Sequence, residues 1–137
     1  MKEKLNRKIL TLIVIGISAV IIASVLLWLY VINIYEVKIN LSSNSLIADD
    51  NSTITVEVVP LNSFGKRALG RVSKADFFIE EGHELVEILS GERNSQTLKL
   101  RAKSQPGRVI ILIKSEDSLL PAKIVIPVEK NKKENYS

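Results

Sequence analysis

Apolar and polar positions follow one rule before Tyr35 and another after it. From Ile9 to Tyr35 no side chain is charged, a run of 27 residues. At about 1.5 Å per helical residue such a run reaches roughly 40 Å, against a hydrocarbon core of about 30 Å. The pattern predicts a transmembrane helix over 9–35, preceded by a short basic segment at 1–8. After Tyr35 the period drops to two. Val37, Ile39 and Leu41 alternate with Glu36, Lys38 and Asn40, as expected of a half-buried strand.

The same alternation returns along the rest of the chain. Asp49-Asp50-Asn51 is turn chemistry, and beyond it Ile54, Val56 and Val58 alternate with Thr53, Thr55 and Glu57 until Pro60 ends the run. Asn62 to Arg67, with Gly65 inside, reads as a loop. Ala75 to Ile79 and Leu85 to Leu89 are two further strands, separated by Glu80-Glu81-Gly82-His83. Leu98, Leu100 and Ala102 alternate next; Val109 to Ile113 follows the Gln105-Pro106-Gly107 turn, and Ile124 to Val128 follows Glu116-Asp117-Ser118. About seven short strands with regular turns suit a two-sheet sandwich over 36–128. Residues 129–137 contain no aliphatic side chain and read as a disordered polar tail.

Two readings compete for the N-terminal segment. A signal peptide has an apolar stretch of about 7–15 residues and then a small-x-small cleavage site. Here the stretch is far longer, and its small residues (Gly16, Ser18, Ala19, Ala23, Ser24) lie in its middle with bulky Val25 to Leu29 after them. An uncleaved anchor is favoured. Lys2, Lys4, Arg7 and Lys8 precede the run, whereas only Lys38 lies close behind it, so the N-terminus is expected in the cytoplasm and residues 36–137 outside. Membrane-interface positions are therefore Lys4, Arg7 and Lys8 at the inner end and Trp28, Tyr30 and Tyr35 at the outer end. Gly16, Ala19 and Ala23 share one helix face and form a candidate helix-packing surface.

Charge changes the picture only once it is divided. The net +4 is +3 before the apolar run and +1 after Tyr35, where 15 basic face 14 acidic side chains. A nearly neutral external domain lacks the clustered Lys and Arg that nucleic-acid binding needs. Cysteine is absent, which excludes disulfides, thiolate metal sites and a cysteine nucleophile.

The turn Asn44-Ser45-Leu46-Ile47-Ala48-Asp49-Asp50-Asn51-Ser52 leads into the strand Thr53 to Val59. It is followed by the loop Asn62-Ser63-Phe64-Gly65-Lys66 and, near the end, by Ser104-Gln105-Pro106-Gly107-Arg108-Val109-Ile110-Ile111. Together these resemble a bacterial Ig-like domain of the invasin and intimin type. The resemblance covers roughly 36–128. It implies a β-sandwich used as a structural or adhesive module at a cell surface, and no catalytic residues. Domains of that type usually stand in tandem, and here one copy follows a membrane helix. The layout also resembles small anchored β-sandwich subunits of envelope machines. The expected fold class is all-β: an Ig-like seven-stranded antiparallel β-sandwich preceded by one transmembrane α-helix.

Candidate chemistry is sparse. His83 stands alone among Glu80, Glu81 and Glu84, a pattern more often a solvated turn than a metal or proton-transfer site. No phosphate-cradling glycine spacing, G-x-S-x-G or H-E-x-x-H occurs. Asp49-Asp50 and Glu116-Asp117 are explained by turn formation ahead of weak Ca²⁺ binding. Sequons stand at Asn40, Asn51 and Asn135; Asn40 and Asn51 are the candidate glycosylation sites. The expected function is a non-enzymatic structural or interaction subunit of a cell-envelope assembly. It involves no cofactor, metal, nucleic acid or small-molecule substrate, and its partners are the membrane and other envelope proteins. The alternative is an adhesive or ligand-binding module contacting cell-wall or surface polymer. The exposed sheet edges are the expected working surface.

Overall fold

The computed structural model describes residues 1–132; the sequon at Asn135 and the last part of the polar tail fall outside the described residues. Helix α1 covers Lys2–Leu27, so the basic segment forms its first two turns. A π-helical turn, Trp28–Ile32, continues it and closes with the Asn33 amide donating to the Trp28 carbonyl at 2.9 Å. Asn33 then turns to extended backbone (φ −68°, ψ 144°), and its side-chain oxygen takes the Ile34 amide at 3.1 Å. A short polar side chain bonding its own backbone in this way competes with helix continuation, which is why the helix stops there. Within Lys2–Ile32, an apolar window of 18 residues has mean hydropathy 2.9 and no buried share. It is long and apolar enough to cross a membrane.

Eight strands follow: β1 Glu36–Leu41, β2 Leu46–Ile47, β3 Thr53–Leu61, β4 Ala75–Glu81, β5 Val86–Ser90, β6 Thr97–Ala102, β7 Gly107–Ser115 and β8 Ala122–Glu129. They form two four-stranded sheets, β1-β3-β6-β5 and β2-β8-β7-β4, packed as an Ig-like sandwich. Alternation along the strands supplies the inner layer. Ile54, Val56, Leu98 and Leu100 of one sheet meet Val109, Ile111, Ile113 and Ile126 of the other, all at most 1% exposed. Burying one such side chain stabilises by about 1.5–3 kcal/mol, and this layer holds a domain without disulfides. Buried Ser73 is satisfied by a hydroxyl pair with Ser115, 2.8 Å.

Three sequence expectations need correction. The strand count is eight rather than seven, and the sheets are not wholly antiparallel. Leu46–Ile47, inside the segment read as a turn, is a strand pairing parallel with β8 at Val128 and Glu129. Two residues are too few to display a period, and only the burial of Leu46 (0% exposed) betrays it. Pro60 also fails to end its strand. Residues Glu36↔Leu61 to Leu41↔Val56 pair β1 with β3, but β6 pairs β3 only from Thr53 to Glu57. The missing N–H of Pro60 therefore points to the side where no strand remains, and a proline is tolerated.

Candidate interaction surface

The loop from Asn62 to Lys74 is built around one side chain. Asn62 is 7% exposed, and its Oδ1 accepts the amides of Phe64 (3.0 Å) and Lys66 (3.1 Å). Main-chain bonds from Asn62 to Lys66 O (2.7 Å) and from Gly65 to Asn62 O (3.0 Å) complete the turn, with Gly65 at φ 72°. The loop thus formed reaches back to the helix. Asn62 Nδ2 donates to Val31 O at 3.3 Å, Ser63 Oγ donates to Tyr30 O at 2.8 Å, and the Leu69 amide donates to Val31 O at 3.3 Å. The last carbonyls of a helix have no partner within it. Here the folded domain supplies them. The Phe64 ring lies 6.2 Å from the Tyr30 ring, and the Arg71 guanidinium stands 5.8 Å over the Trp28 ring. On the other side of the chain, Tyr35 N bonds Leu61 O at 2.8 Å, so β1 begins without slack.

The four sheet edges differ. β2 is two residues long. β4 carries a bulge between Ile79 and Glu81, and its outer side is taken by the 92–95 segment through Ala75–Ser95 and Phe77–Glu92 bonds. β5 is bulged between Ile88 and Ser90. β1 is six residues without a bulge. In an antiparallel pair alternate residues bond across the ladder. Since Ser42 N bonds Thr55 O (3.0 Å), the bonded set is Asn40, Lys38 and Glu36, and the amides and carbonyls of Val37, Ile39 and Leu41 face the open edge. Lys38, exposed in the middle of this strand, is the kind of charge that discourages indiscriminate pairing.

The residues singled out from sequence fall as follows. Lys4, Arg7 and Lys8 are exposed on the first turns of α1. Trp28, Tyr30 and Tyr35 are 52%, 46% and 56% exposed at the other end, two of them engaged by the loop as above. Gly16, Ala19 and Ala23 lie along α1 untouched by the domain. Asn40 is exposed on β1 and Asn51 in the turn before β3. Asp49 accepts the amides of Asn51 (3.0 Å) and Ser52 (2.6 Å), the work of a turn. His83 sits exposed in a short 3-10 turn, and among the described residues no three His, Asp or Glu side chains are grouped to hold a metal. The clamp of 62–71 on the helix end was not legible. Its partners are more than 30 residues apart, and nothing local announces them.

No family model matches the sequence, and no curated protein does. Among solved structures, a glycosyl hydrolase family 2 member from Bacteroides cellulosilyticus is similar at TM-score 0.53 and 21% identity, over 73% of this chain and 14% of that one. A second such member, from Bacteroides cellulosilyticus DSM 14838, gives 0.51 and 18% over 69% of this chain and 15% of its own. The D00-D0 domain of intimin gives 0.47 and 16% over 72% and 49%. The chain spans only a small part of the hydrolases it resembles, and at these identities the likeness concerns the fold. The class so defined is an Ig-like β-sandwich carried behind an apolar N-terminal helix.

Proposed function

We propose that this chain is a non-enzymatic, single-pass membrane protein with a cytoplasmic N-terminus and an external Ig-like domain. Its role is that of a structural or interaction subunit of a cell-envelope assembly. The observation that carries the reading is the clamp of the Asn62–Arg71 loop on the Tyr30 and Val31 carbonyls. A domain hydrogen-bonded to the end of its own helix cannot swing outward, so its partners must meet it beside the membrane. The open β1 edge begins directly after the clamp and offers main-chain groups to a partner strand. The surface-adhesion reading needs reach, which such an attachment withholds.

The test is affinity purification of the full-length protein from its native membranes in mild detergent, with identification of what accompanies it. A reproducible set of envelope proteins is expected. Recovery of the protein alone, as a free monomer, would overturn the subunit reading in favour of polymer binding, to be measured with purified envelope polymer.

A further inference from the structure

Several exposed apolar side chains cluster where the helix enters the domain. Phe64 and Leu69 are each 66% exposed in the loop that clamps the helix. Leu119 and Leu120, in the β7–β8 loop, are 102% and 79% exposed and line a depression with Tyr35. Apolar side chains this open, on two separate loops at one end of a domain, call for a covering surface.

Depth along the helix identifies that surface. Lys8 is the last charged residue before the apolar run. Counted from Ile9, about 20 residues at about 1.5 Å cross a hydrocarbon core of about 30 Å, which puts its outer boundary near Trp28. The headgroup layer occupies roughly the next 5–7 Å. The Tyr30 and Val31 carbonyls lie about 3–5 Å past the boundary, within that layer. Ser63, Asn62 and Leu69 bond those same carbonyls, and so they share the depth. Arg71, over the Trp28 ring, brings a guanidinium to the boundary itself, where lipid phosphates are within reach. Aromatic rings, aliphatic tips and a cation at one level suit an interfacial lipid environment.

We infer that the Phe64–Arg71 loop and the Leu119–Leu120 tip form a seat for the domain in the phospholipid headgroup layer of the membrane its helix crosses. The seat rests on the reading of α1 as a retained membrane span. It adds to that reading that the domain lies on the bilayer through its own loops, with one face fixed toward the lipid. A partner then meets a domain of defined orientation.

The absence of cysteine makes the test clean. Full-length protein with Phe64→Cys, Leu69→Cys, Leu119→Cys or, as the distal control, Gln105→Cys is labelled with NBD. It is reconstituted in phosphatidylcholine–phosphatidylglycerol vesicles containing a headgroup-nitroxide lipid. All four side chains are exposed, so labelling leaves the core intact; far-UV circular dichroism checks this. The expected result is blue-shifted emission at the first three positions, quenched several-fold more strongly than at Gln105→Cys. Emission at those positions as polar and as weakly quenched as the control, in protein that resists carbonate extraction, overturns the seat and leaves the span standing. A blue shift without nitroxide quenching overturns it too, because protein rather than lipid then covers the loops. Release of the whole chain by carbonate sinks the span, and the seat with it.

Discussion

Ser63 Oγ donates a 2.8 Å hydrogen bond to the main-chain carbonyl of Tyr30, across 33 residues of sequence. With the neighbouring bonds to Val31 it transfers the capping of the apolar helix from local sequence to the fold of the distant domain. Helix end and sandwich therefore order together. Replacing Ser63 and Asn62 by alanine should loosen this junction first. The expected outcome is faster hydrogen exchange at the Leu69 amide, whose acceptor is Val31 O, by a larger factor than at the core amides of β3 and β6. For Asn62 alone, loss of the buried amide should cost about 1–3 kcal/mol, because it also leaves the Phe64 and Lys66 amides unpaired. Unchanged exchange at Leu69 in the double variant would show that the clamp does not hold in solution.

The core prediction is larger. Ile111 lies in the middle of β7, fully buried between the sheets. Ile111→Ala should destabilise the domain by about 2–5 kcal/mol through lost burial and an unfilled cavity. In a domain of this size each kcal/mol lowers Tm by about 4–8 °C, so thermal unfolding followed by circular dichroism decides the matter.

Gly91 follows β5 and holds φ at 88°. A Cβ there would run into the Thr97 carbonyl, which belongs to the neighbouring β6 backbone and cannot step aside. Gly91→Ala should therefore cost about 2 kcal/mol or more, from the strained φ and the clash together. Gly65→Ala, at φ 72° but with open space around it, should cost less. Comparable Tm losses for the two would refute the steric part of the argument.

At the β1 edge, amide exchange should alternate. Lys38 and Asn40 donate across the ladder to β3 and should be protected, whereas Val37 and Ile39 face outward and should exchange fast. Residue-resolved exchange by NMR reads this directly. Protection of Val37 and Ile39 gained only in native membranes would mark the arrival of a partner strand.

Much of the architecture was readable because it rests on periodicity. The uncharged run from Ile9 and the alternations at 37–41, 54–58 and 98–102 each sit where the structure has a helix or a strand. Short or contradictory signals misled. Leu46–Ile47 is too brief to show a period, and Pro60 reads as a stop until β6 is seen to have ended first. Glu80 and Glu81 look like a break, yet both continue β4, with Glu80 paired to Lys123 at 2.8 Å and Glu81 to Arg108 at 3.4 Å on the exposed face.

The sequence by itself determined the two regimes of this chain. A charge-free run must be a helix if its backbone is to be satisfied away from water, and a period of two must give strands with one buried face. Only the tertiary structure decided which strands became edges, where a parallel pair closed the second sheet, and how the domain is attached to the helix. Those outcomes depend on groups far apart in the sequence, such as Ser63 and Tyr30. Local composition carries no record of them, because a carbonyl at a helix end is satisfied equally well by any donor the fold brings to it.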